Sequence, residues 1–319
     1  MVRASRGLMA MAAALAVAGC DSAMTYRDSG AKVQIQYQSV GKPIPPAPPA
    51  ASSVAAAPDQ RLSDVDSFEG RAKRQRPDDF ALVVGIEGYQ NIPAADFAER
   101  DARTVSKYLQ KLGVPEENVI LLTGQRATRT GLAKYLEEWL PHNVTENSRV
   151  YFYYSGHGAP DPKDGTSYLV PWDGDPSFLK TSAYPVSRVY KQLGGLKAKE
   201  AIVLLDACFS GAGGRSVIAK GSRPLVTMVE APPSDAKVAV LAASSGDEIT
   251  GSLDEQAHGL FTYYLLKGIQ GAADAGRTGH VSMDQLYSYV KKSVEKAARR
   301  QNRDQTPQLF TSDPALKLY

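Results

Sequence analysis

From Phe80 onward, short unbroken apolar runs alternate with segments of helical period, and this alternation restricts the fold more than any other feature of the chain. Residues 80–84, 119–122, 150–154, 201–205 and 238–243 are each short and almost wholly apolar. Such runs are strands buried on both faces. Between them, Phe97, Ala102, Val105, Leu109 and Leu112 form a helical stripe closed by Gly113. Leu132, Tyr135, Leu136, Trp139 and Leu140 follow the i, i+3, i+4, i+7, i+8 spacing of an amphipathic helix. Further helices are expected over 186–193, 259–269 and 282–299, the last opened by a Ser282/Gln285 capping box. Strand–helix alternation of this kind predicts an α/β fold, with a mostly parallel central sheet covered by helices on both faces. Sheets of that type hold ligands and chemistry at the carboxyl ends of their strands.

The 79 residues before this region read differently. Arg3 and Arg6 precede a run, 7–18, that carries no charge. This is the layout of a secretory signal peptide over 1–19. It ends Val17-Ala18-Gly19-Cys20, which resembles the bacterial lipoprotein signal and implies a lipid on Cys20. A plain signal peptide with Cys20 incidental is the alternative. Residues 20–79 show no sustained periodicity, and 41–58 hold six prolines among alanines and serines. Proline fixes φ and lacks an amide donor, so this stretch reads as a semi-rigid tether. The domain proper is then 80–319. Lys+Arg total 37 against Asp+Glu 34, a net charge of +3, and no long basic run points to nucleic acid. With two cysteines, Cys20 and Cys208, neither a disulfide framework nor a cysteine-rich zinc site can be built. A lone Cys208 thiol in an oxidising compartment is a liability unless buried or used.

Two strand ends carry chemistry. The third expected strand ends Ser155-Gly156-His157-Gly158, and the fourth ends Asp206-Ala207-Cys208-Phe209-Ser210-Gly211. If those strands are parallel neighbours, His157 and Cys208 emerge side by side. An imidazole beside a thiol is the pairing that makes a thiolate near neutral pH.

These segments resemble the caspase and metacaspase family of cysteine peptidases, and most of all its bacterial metacaspase-like members. The similarity runs over about 80–319 and includes Gly259-Leu260-Phe261-Thr262 and Gln305-Thr306-Pro307-Gln308. Cys208 follows His157 by 51 positions, close to the spacing of about 50 in caspases. The resemblance implies Cys208 as nucleophile and His157 as general base, then acid. It implies an oxyanion hole made by the backbone N–H groups of Gly158 and Cys208. It also implies a substrate pocket lined by Asp206 and Asp101, which favours Arg or Lys before the cleaved bond. Arg100 and Phe209 depart from the residues commonest beside those positions. In caspases the connection after the nucleophile is cut. Here that connection carries Arg215, Lys220 and Arg223 as candidate self-cleavage sites.

The resulting expectation is a cysteine endopeptidase on protein or peptide substrates, tethered through Cys20 to a membrane of the bacterial cell envelope. No required cofactor and no metal site is expected, and calcium dependence and oligomeric state stay open. The alternative is a catalytically silent caspase-like scaffold; a hydrolase of another amide, such as cell-wall peptide, is a third option. His142, His258 and His280 lack ligand spacing and are read as structural. The faint calcium-loop echo over 274–285 is read as an ordinary loop. Gly211, Gly213 and Gly214 do not complete a dinucleotide motif.

Overall fold

The computed structural model describes residues 24–28, 31–35, 63–68, 72–210, 215–217, 230–233, 237–245 and 248–319. The expected export signal, Cys20, the proline-rich stretch, Lys220 and Arg223 lie outside the described residues. The chain divides into two compact units, Met1–Ala57 and Pro58–Tyr319. In the first, Met24–Asp28 pairs antiparallel with Ala31–Ile35. The sequence reading assigns no element there, because the β-favouring Tyr26, Val33 and Ile35 are interrupted by charged residues.

The second unit is built on a six-stranded sheet. Its strands are β1 (Phe80–Gly85), β2 (Val119–Thr123), β3 (Arg149–Ser155), β4 (Glu200–Asp206), β5 (Val238–Ala242) and β6 (Gln308–Phe310). The spatial order is β6-β5-β4-β3-β1-β2. All neighbours are parallel except β6, which closes one edge antiparallel to β5. The chain leaves β1 for β2 on one side and returns to β3 on the other, so the order reverses beside β1. Crevices at such reversals are where open α/β sheets bind ligands.

The helices are α1 (Ala98–Lys111), α2 (129–143), α3 (Val186–Gly194), α4 (Leu260–Lys267) and α5 (Met283–Arg300). Alternate strand residues point to opposite faces. Ala81, Val83, Tyr151, Tyr153, Ile202 and Leu204 face a layer containing α1, α4 and α5 residues such as Val105, Leu265 and Val290. Leu82, Val84, Phe152, Tyr154, Val203 and Leu205 face α2 and α3 through Leu132, Leu136, Leu140 and Val189. Each fully buried Leu or Val contributes about 1.5–3 kcal/mol by leaving water. The expected α/β architecture with both faces covered is therefore present. Within α2 the middle turns widen to a π-helix over Lys134–Trp139, yet Leu132, Leu136 and Leu140 stay fully buried. The capping box at α5 is formed in both directions, Ser282 N–H to Gln285 Oε1 at 2.9 Å and Gln285 N–H to Ser282 Oγ at 3.2 Å.

The compact unit takes in residues that the sequence reading leaves in the tether. Val65 is fully buried in the α1/α4/α5 layer, and Phe68 meets Tyr108 edge to face with centroids 5.1 Å apart. Two apolar residues among polar ones have no helical or strand period, so the pattern gives no sign of docking.

Candidate active site

The register of β3 against β4 sets the geometry. Ser155 pairs with Asp206 at the carboxyl ends of these parallel strands, so His157 and Cys208 each stand two residues beyond a matched pair. The two loops touch: a Cβ on Gly158 would collide with the Cys208 carbonyl and with the Phe209 ring. Only glycine permits that approach.

His157 is almost completely buried. Its backbone N–H donates to the Tyr89 hydroxyl oxygen at 2.6 Å, and Tyr154 donates to the His157 carbonyl at 2.7 Å. The ring stacks obliquely on Tyr89 with centroids 4.8 Å apart. Nε2 lies 2.9 Å from the carbonyl of Pro93, an acceptor only, so Nε2 carries the hydrogen. Nδ1 is then the basic nitrogen, and it is buried without a hydrogen-bond partner among the described residues. Burial and the nearby Arg215 cation hold the imidazole below its ordinary pKa, against the opposing pull of the Pro93 carbonyl. The ring is neutral near pH 7, as a proton acceptor must be.

Cys208 is fully buried. Its thiol donates to the Glu248 carbonyl at 2.9 Å and lies 3.1 Å from Ser210 Oγ. Glu248 is held by Thr306, whose N–H and hydroxyl reach its carboxylate at 2.5 and 2.7 Å. Burial raises the Glu248 pKa, but the hydrogen bonds from Thr306 and Ser245 outweigh it and leave the group below its ordinary value. Gln305, fully buried, donates to the Ala243 carbonyl at 3.0 Å and accepts from Gly251 N–H at 3.1 Å. The Gln305-Thr306 pair therefore fixes the segment against which the thiol rests.

Asp101 enters from α1 and Asp206 from the end of β4; both are fully buried. Between them lies the Arg215 guanidinium, itself 5% exposed. Nη1 is 2.9 Å from Asp206 Oδ1 as a charge contact and donates to Ser155 Oγ at 2.9 Å. Nη2 is 3.3 Å from Asp101 Oδ2 and donates to the Asp96 carbonyl at 2.8 Å. Burial works against the Arg215 cation, but the two carboxylates overcome it and raise its pKa. Asp206, by contrast, is raised from its ordinary value because burial and Asp101 outweigh the Arg215 charge. The start of α4 closes the pocket. Thr262 donates to Asp206 Oδ2 from its hydroxyl at 2.6 Å, and Gly259 N–H reaches Asp101 Oδ2 at 3.2 Å. A Cβ on Gly259 would stand 2.5 Å from Asp206 Oδ2 and 2.9 Å from both Arg215 Nη2 and Asp101 Oδ2, filling the pocket.

The backbone of Arg215 is placed as specifically as its side chain. Its carbonyl accepts from Gly158 N–H at 3.1 Å and from Cys208 N–H at 3.4 Å. The following residue, Ser216, pairs in parallel with Gly158, and Val217 N–H donates to the Gly158 carbonyl at 3.0 Å. One arginine thus spans both the two-carboxylate pocket and the pair of amides, with an extended segment leaving beside Gly158.

A model of the caspase domain matches residues 78–319. The chain belongs to the caspase-domain family. Among curated relatives, a probable protease of a Desulfuromonadales bacterium is 25% identical over 72% of this chain. Metacaspase-1A of Aspergillus oryzae is 28% identical over 40% of it. The match spans 31% of the length of each of these relatives. A crystal structure of a Geobacter sulfurreducens protein superimposes with a TM-score of 0.53 at 18% identity, covering 75% of this chain and 96% of that one. That likeness concerns the fold.

Within the caspase domain the structure brings together His157, Cys208, Gly158, Asp101, Asp206 and Arg215 from the sequence reading. Three contributors escaped it: the carbonyls of Pro93 and Asp96, and His258. Backbone carbonyls have no sequence signature. The loop supplying both carbonyls ends at Phe97, held at φ 65° before α1, a conformation that costs a non-glycine residue about 1–3 kcal/mol and often marks a functional site. At 274–279, Asp274 accepts from Thr278 and Gly279 N–H at 2.9 and 2.7 Å, the contacts of an ordinary turn.

Proposed function

We propose that the chain is a cysteine endopeptidase that cleaves after arginine or lysine, with Cys208 as nucleophile and His157 as its base. The observation that carries this reading is the seating of Arg215. A basic side chain lies between Asp101 and Asp206 while the carbonyl of the same residue rests on Gly158 N–H and Cys208 N–H. That is the posture of a residue just before a scissile bond.

In the reaction, His157 Nδ1 takes the thiol proton of Cys208, and the thiolate adds to the carbonyl carbon of the seated residue. The oxygen gains negative charge and is met by the two amides already aimed at it. Collapse expels the downstream amine, which receives its proton from His157. Water, deprotonated by the same imidazole, then hydrolyses the thioester. Nε2–H on the Pro93 carbonyl fixes the tautomer that presents Nδ1 as base.

The same posture makes Arg215–Ser216 the bond for self-cleavage. Lys220 and Arg223 remain sequence candidates on the same connection. A peptide panel tests the substrate reading: arginine- and lysine-ending substrates should be hydrolysed, and aspartate-ending ones left intact. Faster hydrolysis after aspartate would remove the pocket assignment. The export signal and Cys20 support a lipid-anchored place in the bacterial cell envelope. Two or more acyl chains hold a protein far more firmly than one.

A further inference from the structure

One pocket carboxylate, Asp101, is supported through His258 by a residue outside the region matched as the caspase domain, 78–319. Nδ1 of His258 lies 2.7 Å from Asp101 Oδ1, and Nε2 of the same ring lies 3.1 Å from Asp66 Oδ1. His258 and Asp101 are fully buried, and Asp66 is 26% exposed. Asp66 belongs to Ser63–Phe68, upstream of β1.

That segment is fixed in place. Arg100 grips Asp66 with two nitrogens, Nη2 to Oδ2 at 2.6 Å and Nε to Oδ1 at 3.3 Å. Ser63 N–H donates to Asp66 Oδ2 at 2.8 Å. Tyr108 donates to the Val65 carbonyl at 3.0 Å, Ser63 Oγ to Gln256 Oε1 at 2.8 Å, and Lys267 pairs with Asp64 at 3.0 Å.

We infer that Asp66 and His258 are specificity-determining positioning residues: the upstream segment, acting through the His258 ring, sets the orientation of Asp101 toward a basic substrate side chain. This rests on the pocket reading given under Proposed function. Asp101 has two oxygens on one rotatable plane. His258 takes Oδ1, so Oδ2 is the oxygen turned to Arg215 Nη2 and to Ser155 Oγ, each at 3.3 Å. Gly259 N–H, 3.3 and 3.2 Å from the two oxygens, does not distinguish them. Among the described residues, His258 alone separates Oδ1 from Oδ2 on that side of the carboxylate. His258 in turn has its ring plane set by Asp66, which Arg100 orients in two places. A bidentate arginine–carboxylate pair gives geometric specificity as well as attraction.

Substrate touches neither Asp66 nor His258 in this scheme, so the test reads ligand binding separately from turnover. The full chain carrying Cys208→Ala and Arg215→Ala has an emptied pocket and no nucleophile. Binding of arginine amide to this parent is measured by calorimetry, with folding followed by near-UV circular dichroism. Adding Asp66→Ala or His258→Ala should weaken binding about tenfold or more, the loss expected for one misaligned charged hydrogen bond. Asp66→Asn keeps an acceptor for Nε2 and should restore most of the affinity. If His258→Ala does not fold, the partly exposed Asp66 pair decides. Unchanged affinity in a folded Asp66→Ala chain would overturn the inference while leaving the pocket standing. A folded parent that does not bind arginine amide would overturn the pocket reading, and this inference with it.

Discussion

Replacing Asp206 by asparagine is the sharpest probe of the pocket, because the structure sets an order between its two carboxylates. Asp206 Oδ1 lies 2.9 Å from Arg215 Nη1, and Oδ2 receives both the hydroxyl and the N–H of Thr262, at 2.6 and 3.3 Å. Asparagine keeps the shape but removes the charge, and its amide must present N–H donors either to Thr262 or to the guanidinium. Truncating one partner of a buried charge pair costs about 2–5 kcal/mol, part of it from the partner left unpaired. At 1.4 kcal/mol per factor of ten, a loss of about 2–5 kcal/mol is about 30- to 4,000-fold. We expect kcat/KM for an arginine-ending peptide to fall by that factor in Asp206→Asn. Asp101→Asn should fall less, because Asp101 meets the guanidinium at 3.3 Å and shares its oxygens with His258 and Gly259. The assay is a fluorogenic peptide amide with arginine before the reporter, run beside a glutamine-ending analogue. Equal losses on both peptides, or Asp101→Asn falling further than Asp206→Asn, would refute the assignment of Asp206 as the principal anion.

The remaining expectations concern pH, stability and anchoring. Burial holds the His157 pKa below its ordinary 6.5, so the base form survives to lower pH; the acid limb of kcat/KM should therefore fall below 6.5, and a limb above 6.5 would contradict the desolvation argument. The same sign applies to folding: the unfolded chain binds the proton first, so the His157 contribution is complete above pH 6.5 and is lost as pH falls from there toward the folded pKa, a decline that His157→Gln should flatten in denaturant titrations. Arg215→Ala leaves two buried carboxylates without their cation and should lower the melting temperature, and added arginine amide should recover part of the loss by binding only the folded chain. Acyl labelling with a fatty-acid probe should be lost in Cys20→Ala; labelling equal to the parent would remove the anchor.

Much of this arrangement is legible in the sequence where a strong local pattern coincides with a tertiary role. The apolar runs that become β1, β3, β4 and β5 are buried on both faces, and the β3–β4 register brings the loops carrying His157 and Cys208 together. The capping box at Ser282 appears in sequence and in structure because it is made of residues three apart. What escapes is made by backbone or by distant contacts. The Pro93 carbonyl that orients His157 carries no side-chain signal. The role of His258 depends on partners 157 and 192 positions away. Ser63–Phe68 reads as a tether because its two docking residues, Val65 and Phe68, form no periodic face. Arg215 was one of three basic residues on its connection; its pairing with Asp101 and Asp206 is a loop-to-core contact with no sequence period.

Arg215–Ser216 is the bond that tests the seating of Arg215 most directly. The full chain, incubated and then analysed by intact mass and terminal sequencing, should yield a new amino terminus at Ser216. That terminus should be absent from Cys208→Ala and from Arg215→Ala. A cut before Ser216 that persists in Cys208→Ala would contradict the account, as would a chain that hydrolyses arginine peptides yet keeps Arg215–Ser216 intact.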